Sequence, residues 1–243
     1  MALAHSPKII TDGLVLCLDA GNTKSYPGSG TTWNDLSGQG NNGTLANSPT
    51  YNTENGGYLS FDGIDDRVQI GGTTRYFTSY ITQQITIETW IYVPSSATWS
   101  NGFYGNILTR GYFGGSHGLF RTTTNNFVSA WFRQTGSFVA GGQVESTGII
   151  ERDKWTQLVA VWKAPGSALY INGNLASENN TALADANATA TDDFWYAGLN
   201  TAAGGNNGNF FTGNQASCKI YNRALTASEV KQNFDALRGR YGI

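Results

Sequence analysis

The segment 84–93, QITIETWIYV, carries mainly branched aliphatic residues on one face and charged or aromatic residues on the other. One face carries Ile85, Ile87, Ile91 and Val93. The opposite face carries Glu88, Trp90 and Tyr92. Successive side chains of a β-strand point to opposite faces of its sheet, whereas a helix repeats every 3.6 residues. The segment therefore predicts a half-buried strand.

Seven further segments have the same strand character, and glycine, asparagine, aspartate or serine bounds most of them. They are residues 13–20, 57–63, 67–71, 105–111, 117–122, 127–133 and 154–162. The last segment is apolar on both faces towards its end, which indicates a central strand. Within 167–177, Asn172 and Gly173 separate two strand-like runs, which predicts a two-residue hairpin. Residues 61–68, FDGIDDRV, predict a second tight reversal.

One helix is predicted, over 226–237, TASEVKQNFDAL. Thr226 and Glu229 have the spacing of a capping box at its start. The apolar residues that follow form a single stripe along the helix, namely Val230, Phe234 and Leu237. We expect this helix to seal an edge or an end of a β-sandwich.

Composition agrees with strands joined by tight turns and excludes a nucleic-acid binder. The 243 residues include 31 glycines and only 13% charged residues, with a net charge of −2. Nucleic-acid-binding domains normally carry a basic stripe. Asp12 and Asp19 interrupt the apolar runs near the N-terminus, so the sequence predicts neither a signal peptide nor membrane insertion. We therefore expect a soluble protein that is made in the cytoplasm.

The two cysteines, Cys17 and Cys218, are too few for a structural zinc site. They lie in strand segments near opposite ends of the chain, which a sandwich could bring together. Synthesis in the cytoplasm favours two buried free thiols over a disulfide, and their pairing stays open.

Residues 25–45, SYPGSGTTWNDLSGQGNNGTL, form a glycine-rich loop that resembles a phosphate-binding loop in composition. A phosphate-binding loop needs a lysine after its glycines and a helix that follows. Here no lysine follows the glycines, and residues 43–45 continue as a strand. No strand–helix–strand unit surrounds the loop, so a dinucleotide site is excluded as well.

Five blocks carry a family resemblance, in the order in which they occur along the chain. They are WNDLSGQGNNGTL (33–45), GGYLSFDGIDDRVQI (56–70), KWTQLVAVW (154–162), ALYINGN (168–174) and KIYNRALTASEV (219–230). In this order, over about 12–238, the sequence resembles the laminin-G-like, concanavalin A-like lectin family. SYPGSG, FDG-x-DD and IYNRAL are most similar to single-domain members encoded by marine bacteriophages.

This resemblance implies one domain over 1–243 that folds as a jelly-roll sandwich of two antiparallel sheets, with a short C-terminal helix. It also implies a non-enzymatic adhesive or structural role on a virion. In such a fold the glycine-rich loop is a crossover. Asp35 and Asn41 would then cap backbone donors, and Trp33 would fill the core.

The sequence predicts no catalytic residues. Hydrolases of this fold place two carboxylates on one strand, and Glu88 has no such partner in its segment. Glu151 and Asp153 have the pattern of a polar turn. His117 could serve a catalytic triad, but no serine lies in a G-x-S-x-G motif.

Calcium is the cofactor that the resemblance implies, since relatives often bind one ion through loop oxygens. The candidate ligands are Asp35, Asp62, Asp65 and Asp66. The alternative is that these aspartates only shape turns. Many relatives carry an acidic residue just before the IYNRAL strand, and this chain has none there.

Aromatic residues in glycine-rich and serine-rich loops are the candidate glycan-binding groups, because aromatic faces stack on sugar rings. They are Trp99, Phe103, Tyr104, Tyr112 and Phe113. The alternative is that they cover the sheet or form an oligomer contact. Five other tryptophans lie in strand-like runs and are expected in the core: Trp90, Trp131, Trp155, Trp162 and Trp195.

Three functions compete. The first is a virion surface protein, such as a capsid decoration, head-fibre or tail-associated component. Its partners would be other virion proteins, a cell-surface glycan and, if it is an oligomer, copies of itself. The second is a free carbohydrate-binding lectin, and the third is a glycoside hydrolase of the same fold. The terminal segments 1–10 and 238–243 are candidate contact arms.

Overall fold

A computed structural model describes residues 7–71, 84–98, 104–110, 117–122, 128–132, 143–146, 150–163, 166–180, 195–198 and 210–243. In these ranges the chain forms sixteen strands and one α-helix. Sheet I contains β1 (Leu14–Asp19), β4 (Thr50–Asn52), β5 (Tyr58–Asp62), β7 (Gln84–Tyr92), β12 (Trp155–Lys163), β13 (Gly166–Ile171), β14 (Asn174–Asn179) and β16 (Thr212–Tyr221). Sheet II contains β2 (Thr32–Trp33), β3 (Gly43–Ala46), β6 (Arg67–Ile70), β8 (Tyr104–Arg110), β9 (His117–Thr122), β10 (Val128–Phe132), β11 (Gln143–Glu145) and β15 (Trp195–Ala197).

The two sheets are antiparallel and confirm the predicted β-sandwich. Sheet I has the order β14-β13-β12-β7-β16-β5-β4, and β1 pairs with β16. Sheet II has the order β11-β10-β9-β8-β15-β6-β3-β2. The predicted central strand, β12, lies between β7 and β13. All eight predicted strand segments are strands.

A single large apolar core lies between the sheets. Ile85, Ile87 and Ile91 of β7 contribute from sheet I, and Val68 and Ile70 of β6 contribute from sheet II. The predicted core position of Trp33 is confirmed, since its side chain is fully buried. Trp90, Trp155 and Trp162 are buried too. Trp131 and Trp195 lie in β10 and β15, but their side chains lie outside the described part.

The outer face of sheet I is covered as well, which corrects two expectations. Strand β7 is buried at every residue from 85 to 91, so the prediction of a half-buried strand is wrong. Helix α1 (Ala227–Leu237) and the 3₁₀ turn Arg238–Tyr241 lie over this face. The Trp90 ring stacks on Phe234 and Tyr241, with centroid distances of 5.8 and 4.2 Å. The helix therefore seals a face of the sandwich, and not an edge or an end.

The predicted helix start is confirmed. The Thr226 side chain accepts a hydrogen bond from the Glu229 N–H, and the Glu229 carboxylate accepts one from the Thr226 N–H. Arg223 also donates to Glu229, at 2.7 Å, and this bond lowers the pKa of Glu229 to about 2. No helix in the described part of the chain is long and apolar enough to span a membrane.

The two predicted reversals have different structures. Asn172 and Gly173 have φ angles of 51° and 75°, as a tight hairpin with two positive φ values requires, and they join β13 to β14. Residues 61–68 are not a hairpin, because β5 belongs to sheet I and β6 to sheet II. This second reversal carries the chain from one layer of the sandwich to the other.

The cysteines are free and buried. Cys17 lies opposite Lys219, and Cys218 lies opposite Leu18, in the ladder of β1 with β16. Because neighbouring positions alternate between faces, the two thiols point to opposite faces of sheet I. Burial raises the pKa of Cys17 to about 11.

Both terminal segments are attached to the domain where the structure describes them. The Ile10 N–H donates to Asn233 Oδ1 at 2.8 Å, which fixes the N-terminal segment to the helix. Arg240 donates to Asp19 Oδ1 and to the Gly57 carbonyl, each at 2.6 Å. Residues 7–12 and 238–241 are therefore parts of the packed structure.

A buried ion pair lies within sheet I, and a hydrogen bond from helix α1 connects the pair to the helix that covers this sheet. Lys219 Nζ of β16 lies 3.0 Å from Glu88 Oε1 of β7, and both side chains are at most 2% exposed. Gln157 of β12 donates to the same carboxylate at 3.3 Å, and Asn233 of α1 donates to it at 2.6 Å. Burial opposes the charge on Lys219, and the Glu88 carboxylate outweighs it, so the pKa of Lys219 is raised.

This pair predicts strong coupling between its two members. Lys219→Met leaves a buried carboxylate without its cation, so we expect the free energy of unfolding to fall by about 3–5 kcal/mol. The double variant Glu88→Leu/Lys219→Met removes both charges and should cost less than the single variant. Urea denaturation measures each free energy of unfolding. If the losses in free energy of unfolding of Glu88→Leu and of Lys219→Met simply add up to the loss of the double variant, the assignment is contradicted.

Lys231→Met is the matched control. Lys231 forms an exposed ion pair with Asp235 one helical turn away. Exposed pairs of this kind contribute less than about 1 kcal/mol, so the control should keep nearly the stability of the unmodified chain.

Candidate functional site

Glu88 is the strand carboxylate that the sequence analysis weighed as a catalytic group, and it is fully buried. Its two oxygens accept hydrogen bonds from Lys219, Gln157 and Asn233. Sequence analysis did not identify Lys219 as its partner, because the two residues are 131 positions apart. The only sequence signal was a lysine at an otherwise apolar strand, SCKIY (217–221). In this arrangement Glu88 is a structural group.

Three of the four predicted metal ligands lie together where β5 ends and β6 begins. Carboxylate oxygens of Asp62, Asp65 and Asp66 lie within 4.8 Å of one another. Asp62 Oδ1 accepts hydrogen bonds from the N–H groups of Ile64 and Asp65, which folds the loop back on itself. The Asp62 N–H donates to Asp66 Oδ2 at 3.0 Å. The sequence FDGIDD therefore folds locally into a loop that concentrates three carboxylates.

The carboxyl group of Asp66 is the electrostatically unusual member of this cluster. It is only 6% exposed, whereas Asp62 and Asp65 are exposed. Burial raises the pKa of Asp66 to about 6, against the hydrogen bond from the Asp62 N–H. The negative charges of Asp62 and Asp65 raise it further.

The loop fits a hard cation such as calcium. Hydrogen bonds occupy one oxygen of Asp62 and one of Asp66 in the described part of the chain. The second oxygen of each, with the carboxylate of Asp65, gives a three-carboxylate donor set. Calcium takes 6–8 oxygen ligands, so the remaining positions would come from water or a ligand. A cation here would also offset the repulsion that raises the pKa of Asp66.

The fourth predicted ligand, Asp35, lies outside this cluster and shapes the glycine-rich loop. Its Oδ1 accepts hydrogen bonds from the N–H groups of Cys17 and Ser37, and its Oδ2 accepts one from Asn41. The predicted capping role of Asp35 is thus confirmed. Asn41 instead donates its side-chain N–H to the Val15 carbonyl, so the expectation that it caps a backbone donor is wrong. The side chain of the next residue, Asn42, performs that role for the Asp35 N–H.

The side chains of the predicted glycan-binding aromatics all lie outside the described part of the structure. Trp99, Phe103, Tyr112 and Phe113 lie outside the described residues. Tyr104 is the first residue of β8, and its side chain also lies outside the described part.

Contacts of Thr212 nevertheless connect the segment just before Trp99 with the end of β5 at Asp62. The Thr98 carbonyl accepts a hydrogen bond from Thr212 Oγ1 at 2.7 Å, and Thr212 pairs with Asp62. Gly198 packs directly against Phe61 and the Asp66 carbonyl. We call this region, residues 62–66 with Thr98, Gly198 and Thr212, the acidic end. The chain therefore reaches residue 98, just before Trp99, at the acidic end.

Two of the predicted aromatics, Tyr112 and Phe113, come after β8 in the sequence. Tyr104 and Arg110 begin and end this strand of seven residues. At about 3.4 Å per residue, the two ends are about 20 Å apart. Tyr112 and Phe113 follow Arg110 in the chain, whereas Phe103 precedes Tyr104. In the sequence, the predicted aromatics therefore flank this strand, and the structure does not describe those outside it.

Comparison with protein families identifies the class of this sandwich. Residues 61–231 match the Laminin_G_3 model of the concanavalin A-like lectin/glucanases superfamily. This match covers more than half of the chain, and the chain belongs to that superfamily. Comparison with curated proteins found no match.

Solved structures support the same fold at low sequence identity. Trypanosoma rangeli sialidase in complex with sialic acid is 18% identical, with a TM-score of 0.67 over 98% of this chain. The match spans only 36% of the sialidase chain. Domain 4 of AbnA, a GH43 extracellular arabinanase from Geobacillus stearothermophilus, in complex with arabinotriose, is 17% identical, with a TM-score of 0.64. That match covers 90% of this chain and 97% of the domain.

The raised pKa of Asp66 predicts a pH dependence of stability with a definite sign. The ordinary pKa is 3.8 and the folded value is about 6, so between these pH values the folded state binds more protons. This group therefore stabilises the fold below about pH 4, and the contribution is lost as the pH rises to about 6. Asp66→Asn should gain stability relative to the unmodified chain across this interval.

Thermal unfolding at pH 4, 5, 6 and 7 measures the difference between the two proteins. A difference for Asp66→Asn that is constant with pH would show that Asp66 has an ordinary pKa.

Proposed function

We propose that the chain is a non-enzymatic carbohydrate-binding domain that is displayed on a bacteriophage virion. The observation that carries the proposal is the combination of a lectin/glucanase fold with a strand carboxylate, Glu88, that is fully buried in an ion pair. The fold supplies a surface that can hold sugars. The ion pair removes a group that catalysis would require.

The non-enzymatic part rests on the chemistry of glycoside hydrolysis. Such enzymes use two carboxyl groups that flank the scissile bond and that the substrate must reach. Glu88 is inaccessible, and its two oxygens are engaged by Lys219 and Asn233. At the acidic end, the carboxylate oxygens of Asp62, Asp65 and Asp66 lie within 4.8 Å of one another, and the three residues share a single short loop. They suit a cation better than two groups that flank a sugar.

The acidic end is the region that we propose for sugar binding. Asp62, Asp65 and Asp66 would hold calcium, which supplies a positive charge that attracts hydroxyl oxygens when bound. The chain arrives beside this cluster at Thr98, one residue before Trp99. A tryptophan face and nearby oxygen-binding groups are the usual elements of a sugar site. The AbnA domain, which has a similar fold, is described in complex with arabinotriose.

The virion role rests on sequence resemblance. SYPGSG, FDG-x-DD and IYNRAL are the motifs that are similar to phage-encoded single-domain members. Capsid or tail proteins would be the partners, and a cell-surface glycan would be the ligand. A free lectin is the alternative, and the two can be distinguished by what the protein accompanies in an infected cell.

A glycan array tests carbohydrate binding directly. The purified chain should bind at least one group of oligosaccharides in the presence of calcium and lose most of that signal in EDTA. Trp99→Ala should weaken binding at least about tenfold, because buried tryptophans dominate binding energies. Leu175→Ala is the control: it removes an exposed apolar side chain from β14, at the edge of sheet I away from β5 and the acidic end, and it should bind normally. An array without any signal would contradict the proposal.

Immunogold electron microscopy tests the virion role. Particles from a lysate that contains this protein should be labelled by antibody raised against it, and the protein should co-purify with them in a density gradient. If the particles are unlabelled while the array is positive, the free lectin is the correct function.

A further inference from the structure

The buried cluster around Glu88 holds a primary amine and a carboxamide on the two oxygens of one carboxylate. Lys219 Nζ lies 3.0 Å from Glu88 Oε1, and Asn233 Nδ2 donates to Glu88 Oε2 at 2.6 Å. Strand β16 supplies the lysine, and helix α1 supplies the asparagine. An amine is a nucleophile and the carbon of a carboxamide is an electrophile, so the cluster contains both partners of an amide exchange reaction.

The oxygen of the Asn233 carboxamide has a donor of its own. Asn233 Oδ1 accepts a hydrogen bond from the Ile10 N–H at 2.8 Å. A backbone N–H in this position stabilises the negative charge that develops on the oxygen when an amine attacks the carbon. Ile10 is itself held in place, because its carbonyl accepts a hydrogen bond from the Tyr221 hydroxyl at 3.1 Å. The carboxamide is therefore fixed at its nitrogen by Glu88 and at its oxygen by Ile10.

Burial of the cluster favours chemistry between its own members. Glu88 and Asn233 are fully buried, Lys219 is 2% exposed, and the register neighbour of Glu88 in β12 is the buried Val159. Burial lowers the pKa of Lys219 and the Glu88 carboxylate raises it, with a net rise. The neutral amine therefore forms when the lysine proton moves to Glu88 itself, along their hydrogen bond. This transfer removes both charges from a site that penalises each of them.

We propose that the folded chain modifies itself by joining Lys219 Nζ to Asn233 Cγ in an amide bond, with release of ammonia. Lys219 passes one proton to Glu88, and its neutral amine attacks Asn233 Cγ. The bond between Cγ and Nδ2 then breaks as the bond between Nζ and Cγ forms. Nζ gives up two protons in all. Glu88 passes one of them to the departing NH₂ group, which leaves as ammonia, and keeps the other.

The bond would fasten helix α1 to strand β16 and so lock the cover of sheet I in place. The reacting atoms must come within about 3–3.5 Å of each other, and rotation of two side chains that already share one carboxylate achieves this. Groups held together in this way react as if one were present at about 10⁵–10⁸ M, and each chain needs to react only once. The inference goes beyond the proposed sugar binding and does not depend on it.

Mass spectrometry of the purified full chain, incubated at neutral pH and then denatured, tests the bond. The intact mass should be about 17 Da below the mass of the sequence, because one ammonia is lost. A tryptic digest should contain residues 164–223 linked to residues 232–238, with no cleavage after Lys219 because its amine is blocked. The linked peptides are the decisive signal, since an Asn-Gly sequence such as Asn172-Gly173 can lose ammonia by cyclising on its own backbone.

Lys219→Arg is the matched control. Arginine keeps a cation beside Glu88, but its guanidinium does not lose a proton in proteins, so the variant should give no linked peptides. Glu88→Gln removes the proton acceptor and should also abolish the link. A link that forms equally fast in Glu88→Gln would overturn the mechanism.

The primary result comes from the unmodified chain, so it does not depend on whether the variants fold. An unmodified chain that keeps the mass of its sequence, and that trypsin cleaves after Lys219, would overturn the inference. The sugar-binding proposal would be untouched by that result, because the glycan array tests it separately.

Discussion

The buried ion pair between Glu88 and Lys219 is the constraint on which the rest of this structure depends. Two opposite charges can be buried only if they pair and if further hydrogen bonds satisfy the remaining oxygens and protons. Here those bonds come from a third strand through Gln157 and from the helix through Asn233. The C-terminal helix must therefore lie on the outer face of sheet I, since without it the carboxylate would lose its shortest hydrogen bond.

This constraint assigns different roles to the two sheets. The central strands of sheet I, such as β7 and β12, have both faces buried, one against the core and the other beneath the helix and the 3₁₀ turn that follows it. Arg240 strengthens this cover by bonding to Asp19 and Gly57. Sheet I is thus a structural layer. The acidic end, where β5 ends and β6 begins, lies outside this covered region, and the proposed function uses it.

Local sequence patterns predicted the local structure well. Short apolar or alternating runs bounded by turn residues identified eight strands, Asn172-Gly173 identified the hairpin, and Thr226 with Glu229 identified the helix start. Each of these signals lies within a few residues of the feature that it specifies. The burial of Trp33 and the loop-shaping role of Asp35, by contrast, were predicted from the family resemblance.

The features that the sequence did not predict depend on contacts between distant segments. Strand β7 has an amphipathic pattern, and only the position of a helix some 140 residues later makes it buried on both faces. The reversal at 61–68 has the composition of a hairpin, and only the pairing of β5 and β6 with other strands separates them into two sheets.

The most direct test of this division of roles is a titration of the ¹⁵N-labelled chain with an oligosaccharide that it binds, followed by two-dimensional NMR. The account predicts chemical-shift changes at the amides of Asp62–Asp66 and none at Glu88, Lys219 and Asn233. Changes concentrated at Glu88 and Lys219 would mean that sheet I is the functional layer, and they would contradict the account.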